Sequence, residues 1–124
     1  MLILSWNLFH GRSLPPTRQS LFEQFAASLA GWRWDVALLQ EVPPWWPAAL
    51  ARASAADHRS AMTSRNSLLA PDAAIAHIAA RDVDHLFAKG LAPVGDAEIL
   101  DRHVTVRDVS VELSDHPPLL VRVE

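Results

Sequence analysis

Four short segments of this 124-residue chain carry side chains able to bind a cation, hold a phosphate or move a proton. Leu4-Ser5-Trp6-Asn7-Leu8-Phe9-His10 is an apolar run broken by an amide, and Leu38-Leu39-Gln40-Glu41-Val42 ends a second apolar run on a carboxylate. Val83-Asp84-His85-Leu86-Phe87 and Leu113-Ser114-Asp115-His116-Pro117-Pro118 each set a carboxylate beside an imidazole. Carboxylates are hard oxygen ligands, and a carboxylate behind an imidazole fixes its tautomer and stabilises its charged form. Each segment also has an ordinary reading. Asn7 suits a turn that bonds its own backbone. Glu41 suits a solvated strand end, Asp84 an outward charge on an edge strand, Asp115 a turn before two prolines, and His116 a surface histidine. His10, His58, His77, His85 and His103 have no partner at metal-ligand spacing and read as structural or solvated. Trp32, Trp34, Trp45 and Trp46 read as core anchors before they read as a base-stacking platform.

The elements that must position these groups follow from periodicity. Met1 to Phe9 reads as a buried strand, followed by a loop at His10-Gly11-Arg12-Ser13 and Pro15-Pro16. Leu21, Phe22, Phe25 and Leu29 predict a helix over about 17 to 30. Ser20 and Glu23 are placed for a capping box if that helix starts late, and Gly31 stands at its stop. Asp35 to Val42 is a continuous apolar strand, which predicts cover on both faces. Strand, helix, strand at this spacing predicts a parallel pairing. In an open α/β sheet, ligands bind beyond the carboxyl ends of such strands, where Glu41 falls. Pro43, Pro44 and Pro47 open a second helix that fades near Asp57. A further helix is expected after Pro71 and a strand over 82 to 88. Residues 103 to 113 alternate, with a slip at Arg107-Asp108 that predicts a bulge or tight turn. A last strand is expected over 119 to 123. The fold class is α/β in the broad α+β sense.

Composition sets the outer bounds. The length suits one domain, and half the residues are apolar with a fifth charged, the balance of a globular chain. Without cysteine there is no disulfide, thiolate metal site or cysteine nucleophile. The N-terminal residues make a poor signal peptide, and no run approaches the roughly 18 apolar residues of a membrane span, so the expected location is cytoplasmic. The formal net charge is -3 and the eleven basic residues are scattered, which disfavours nucleic acid as a partner.

Taken together and in order, the four segments resemble the endonuclease/exonuclease/phosphatase superfamily. There an early Trp-Asn strand and a Gln-Glu strand end are followed, late in the chain, by an Asp-bearing strand and a Ser-Asp-His-x-Pro. Here these are Trp6-Asn7, Gln40-Glu41, Asp84 and Ser114-Asp115-His116-Pro117-Pro118. The resemblance covers about 1 to 66 and 82 to 124. It implies a partial sandwich of two sheets with flanking helices, and a metal-dependent phosphoesterase chemistry whose substrate the fold does not name. By the resemblance, Glu41 is the principal ligand of Mg²⁺ or Mn²⁺ and Asp115 supports it. Asn7 sits beside the metal or orients the phosphate. His116 contacts a phosphate oxygen or transfers a proton, with Asp84 orienting it.

The chain departs from that pattern in the middle. The family's central strands, a histidine-bearing strand and an Asp-x-Asn segment have no counterpart, since Asn7 and Asn66 are the only asparagines and neither follows an aspartate by two. An internal deletion between about 67 and 82 is implied. The expectation is a phosphoesterase-like protein of weak or no turnover, with a non-catalytic phosphate- or protein-binding remnant as the alternative. Loss of central strands also predicts exposed apolar surface and self-association.

Overall fold

The computed structural model describes residues 1–60 and 90–124. Asp84, the helix expected after Pro71 and the strand expected over 82 to 88 lie outside the described residues, as do Arg65 and Asn66.

The described chain is a mixed α/β arrangement of two sheets and two helices. Strand β1 (Leu2–Asn7) leads through a 3-10 turn (Phe9–Gly11) into the short β2 (Ser13–Leu14). Helix α1 (Phe22–Gly31), strand β3 (Val36–Gln40) and helix α2 (Pro47–Ala53) follow. The C-terminal part holds β4 (Glu98–Ile99), β5 (His103–Val106), β6 (Val109–Leu113) and β7 (Leu119–Arg122). One sheet runs β3-β1-β7-β4 and the other β2-β6-β5.

The expected parallel pairing is present: β1 lies beside β3 in register from Ile3↔Val36 to Asn7↔Gln40. β7 runs antiparallel on the other side of β1, with Ser5 opposite Leu119. The residues just before β7 therefore lie at the same sheet edge as the ends of β1 and β3. The slip at Arg107-Asp108 is a tight turn. Both residues have positive φ (48° and 64°), as a two-residue hairpin between β5 and β6 requires.

Side-chain alternation divides the first sheet into two faces. Leu4 and Trp6 of β1 face the helices, and Ala37 and Leu39 of β3 pack beside them. The Trp6 ring lies tilted at 5.0 Å from Phe25 and edge-on at 5.1 Å from Trp32, while Trp46 meets Phe22 at 5.4 Å and Phe25 at 5.6 Å. Val106, Val111 and Leu113 of the second sheet join the same core. Trp32, Trp34 and Trp46 are thus core anchors, whereas Trp45 is 77% exposed. Gly11, at φ +77°, lets the backbone pass the Trp46 ring, since a Cβ there would lie 2.4 Å from Cη2. No helix among the described residues is long and apolar enough to cross a membrane.

Three expectations are corrected. β3 is not covered on both faces: Val36 and Leu38 are 40% and 47% exposed, because the helices cover only the Ala37 and Leu39 side. On that outer face Ile99, beyond Leu119, is 66% exposed. Helix α1 begins at Phe22 rather than near Thr17. Thr17 Oγ1 donates to Gln19 O, and Ser20 Oγ accepts only a long 3.4 Å bond from Phe22 N–H, so no capping box forms. Gly31 is the last helical residue, and Trp32 leaves the helix in an extended conformation, without a left-handed glycine stop.

Candidate functional site

At the rim where β1 and β3 end, the parallel pairing continues past both strands. Leu8 N–H donates to Gln40 O at 2.8 Å, and His10 N–H to Glu41 O at 3.0 Å. Asn7 Oδ1 accepts from Phe9 N–H at 2.9 Å, so the amide does close a local turn. From the other side comes the segment before β7. Ser114 Oγ donates to Asn7 O at 2.5 Å and accepts from His116 N–H at 3.1 Å, while Ser114 N–H donates to Arg12 O at 2.8 Å. Trp6 Nε1–H, buried beneath, donates to His116 O at 2.9 Å.

The structure thus brings together Asn7, Glu41, Asp115 and His116 at one rim. Asp84 is outside the described residues. Ser114 is the residue whose importance sequence reasoning understated. Its one hydroxyl ties the Asn7 strand end to the His116 backbone, a link that local sequence gives no sign of.

In sequence His10 has no partner at ligand spacing and reads as structural. Its Nε2 instead stands 3.6 Å from Glu41 Oε2, with the two side chains only 17% and 26% exposed. Both atoms are buried and, among the described residues, neither has a hydrogen-bond partner. Asp115 Oδ1 lies 3.6 Å from His116 Nε2 and 3.4 Å from Ser114 Oγ, so its carboxylate serves the imidazole side of the rim. His116 itself is 8% exposed.

The backbone here is costly. Of the seven non-glycine residues with positive φ among the described residues, four are at this rim: Phe9 (51°), His10 (53°), Glu41 (50°) and Ser114 (68°). A left-handed conformation costs about 1–2 kcal/mol per non-glycine residue. Such strain persists only where surrounding structure enforces it, and it clusters at functional sites. Here the enforcing contacts are the His10–Glu41 backbone bond and the Ser114 hydroxyl.

Among the described residues, no group of three or more His, Asp or Glu is placed to hold a metal ion. A cavity of about 750 Å³ lies elsewhere, between α1, α2 and β3, and is lined by Trp34, Leu39, Leu50 and Arg59 among others. Its walls bring no carboxylate–imidazole pair from the rim. Comparisons with protein-family models, curated proteins and solved structures found no match to this chain.

Proposed function

We propose that this rim is the phosphate-ester site of a metal-dependent phosphoesterase-like domain with slow turnover. The observation that carries the reading is the Ser114 hydroxyl, which bonds Asn7 O and His116 N–H and so joins the first and last chemistry-bearing segments, while the His10 N–H to Glu41 O bond joins the Glu41 segment to the first. The order β3-β1-β7 with two helices on the Trp6 face supports a partial two-sheet sandwich of the endonuclease/exonuclease/phosphatase kind.

One buried carboxylate oxygen supports a weakly held divalent cation, with no third His, Asp or Glu grouped around it among the described residues. Glu41 Oε2 is a buried carboxylate oxygen with no hydrogen-bond partner among the described residues. An ionised oxygen left so is stabilised by a hard cation. Glu41 would hold Mg²⁺ or Mn²⁺, with Asp115 adding negative charge to the rim. When bound, such an ion stabilises the charge that develops on phosphoryl oxygens. Because Asn7 Oδ1 already accepts from Phe9 N–H, its contribution to a ligand is the Nδ2 amide, a donor suited to orient a phosphate oxygen. His116 donates to a phosphate oxygen or carries the leaving oxygen's proton, with the Asp115 carboxylate 3.6 Å from its Nε2.

The attacking water has no matching base in the sequence, which lacks the Asp-x-Asn segment. Positioned general-base help is worth about 10²- to 10⁴-fold, so the expected turnover falls below the ordinary range of about 1 to 10³ per second. The same lack favours, as a second reading, a domain that binds phosphate without turning it over.

Hydrolysis of bis(p-nitrophenyl) phosphate with added Mg²⁺ tests both. Slow, metal-dependent release that disappears in Glu41→Ala and in His116→Ala supports the phosphoesterase reading. Phosphate binding without release, lost in His116→Ala, supports the second. Release that survives Glu41→Ala removes the site from the rim.

A further inference from the structure

Strand register sets two short rows of side chains on the face of the first sheet that α1 and α2 leave open. Val36, Ile3 and Val121 stand abreast in one row, and Leu38, Ser5, Leu119 and Ile99 in the other. All but Ser5 are apolar, and none is charged. Val36, Leu38 and Ile99 are 40%, 47% and 66% exposed, and Ile3, Ser5, Leu119 and Val121 are half-buried. Single apolar residues on a surface are ordinary, but a contiguous apolar patch marks a place of contact.

The chemistry of the patch selects its partner. With no charge in either row, it holds nothing to attract a nucleic acid or a charged peptide. It fits another uncharged apolar sheet face, and a second copy of this chain presents one of the same size and outline. A two-fold axis through the patch sets the same residues against one another, the arrangement of most homodimers. Two sheets then stack as in a sandwich, about 10 Å apart and within about 30° of aligned. Ser5, the smallest residue of the patch, lies between Leu38 and Leu119 and leaves a dent for a larger side chain of the other copy.

Area sets the strength. Strands about 4.8 Å apart and same-face residues about 7 Å apart give a patch of roughly 300 Å² with its side-chain margins, or about 600 Å² for two copies. Stable complexes bury about 1,200–2,000 Å². We propose that two copies of this chain associate face to face through Ile3, Val36, Leu38, Leu119, Val121 and Ile99, as a reversible dimer that forms only above about micromolar concentration. The next pair along the same face is Asn7 and Gln40, so the contact stops one row short of the rim. It is independent of the chemistry assigned there.

Sedimentation velocity from low micromolar to near-millimolar protein reads the association directly. The wild-type sedimentation coefficient should rise with concentration and level off at the value of a dimer. Leu38→Lys and Ile99→Lys place a charge on the patch from its two opposite edge strands, and each should weaken the dimer at least tenfold, because that charge must be desolvated in the contact. Val109→Lys, at a position 53% exposed on the second sheet, should associate as the wild type does. Near-ultraviolet circular dichroism of the tryptophans checks that the variants are folded, and the wild-type curve stands by itself should one fail. A wild-type chain that stays monomeric throughout overturns the proposal, as does growth past the dimer without limit. Loss in Leu38→Lys with full association in Ile99→Lys places the contact at the edge of β3 and overturns it too. So does equal weakening in Val109→Lys.

Discussion

Two histidine–carboxylate groupings stand in this molecule under opposite conditions. On the second sheet His103 Nδ1 lies 2.7 Å from Asp101 Oδ1 and its Nε2 lies 3.1 Å from Glu112 Oε1, with His103 and Asp101 53% and 79% exposed. Arg102 adds a 2.6 Å bond to the other Glu112 oxygen. Every contact is short and water is at hand, so the network is satisfied as it stands. At the rim His10 and Glu41 are far less exposed, stand 3.6 Å apart and hold strained backbone. A surface pair that closes its hydrogen bonds needs no ligand. The rim pair is within ion-pair range but short of a hydrogen bond, so the Glu41 oxygen and the His10 ring nitrogen have no hydrogen-bond partner among the described residues.

Substitutions that treat the two groupings alike sharpen this contrast. The largest expected difference is in catalysis. Glu41→Ala should abolish metal-dependent phosphodiester turnover, whereas Glu112→Ala should change it less than twofold by initial-rate assay. Equal losses would mean that the surface network, not the rim, supports the chemistry.

A smaller effect is expected from Ser114→Ala, which removes the donor to Asn7 O and the acceptor of His116 N–H. Losing a buried hydroxyl that serves two backbone groups should cost about 1–3 kcal/mol in denaturant unfolding. Turnover should fall while metal affinity at Glu41 is kept, because the lost bonds position His116. A variant as stable and as active as the wild type would show that the hydroxyl link is incidental.

The smallest effect belongs to the surface network and is read by pH. The Asp101 hydrogen bond, above all, holds His103 above its ordinary pKa of 6.5. The backbone N–H of His103, first among several contacts, holds Asp101 below its ordinary 3.8. The histidine's contribution to stability is complete below about 6.5 and is lost as pH rises through the raised folded value. The aspartate's is present above about 3.8 and is lost as pH falls through the lowered one. Both operate between those limits, so unfolding midpoints should drop slightly from about pH 5.5 to about pH 9. His103→Gln should flatten that drop, and added salt should shrink it, as befits exposed charges. A larger drop than that caused by Ser114→Ala would contradict the ranking.

The strands of the rim were legible because long apolar runs specify β1, β3 and β7 through local pattern alone. The two-residue β2 and β4 were not, since each exists only by pairing with a distant strand: Ser13 with Leu113, and Ile99 with Leu119. The start of α1 was misread because Thr17 and Ser20 bond to nearby backbone, which competes with helix in a way that periodicity does not register. The double cover expected for β3 failed because its apolar character reflects both faces, while the described chain supplies helices for one. Asn7, Glu41, Asp115 and His116 were nameable from motif order. His10 was not, because its neighbour Glu41 comes from another strand and meets it only through the parallel register of β1 and β3.

The central claim is that Glu41 anchors a cation at this rim, and Mg²⁺ binding by titration calorimetry addresses it most directly. Two carboxylates differing only in place make the comparison: Glu41, with a buried oxygen at the rim, and Glu98, exposed on β4. Wild type and Glu98→Gln should bind with the same weak affinity, and Glu41→Gln should bind at least tenfold more weakly, about 1.4 kcal/mol. Equal affinity in Glu41→Gln and Glu98→Gln would contradict the account, for it would place the cation away from Glu41.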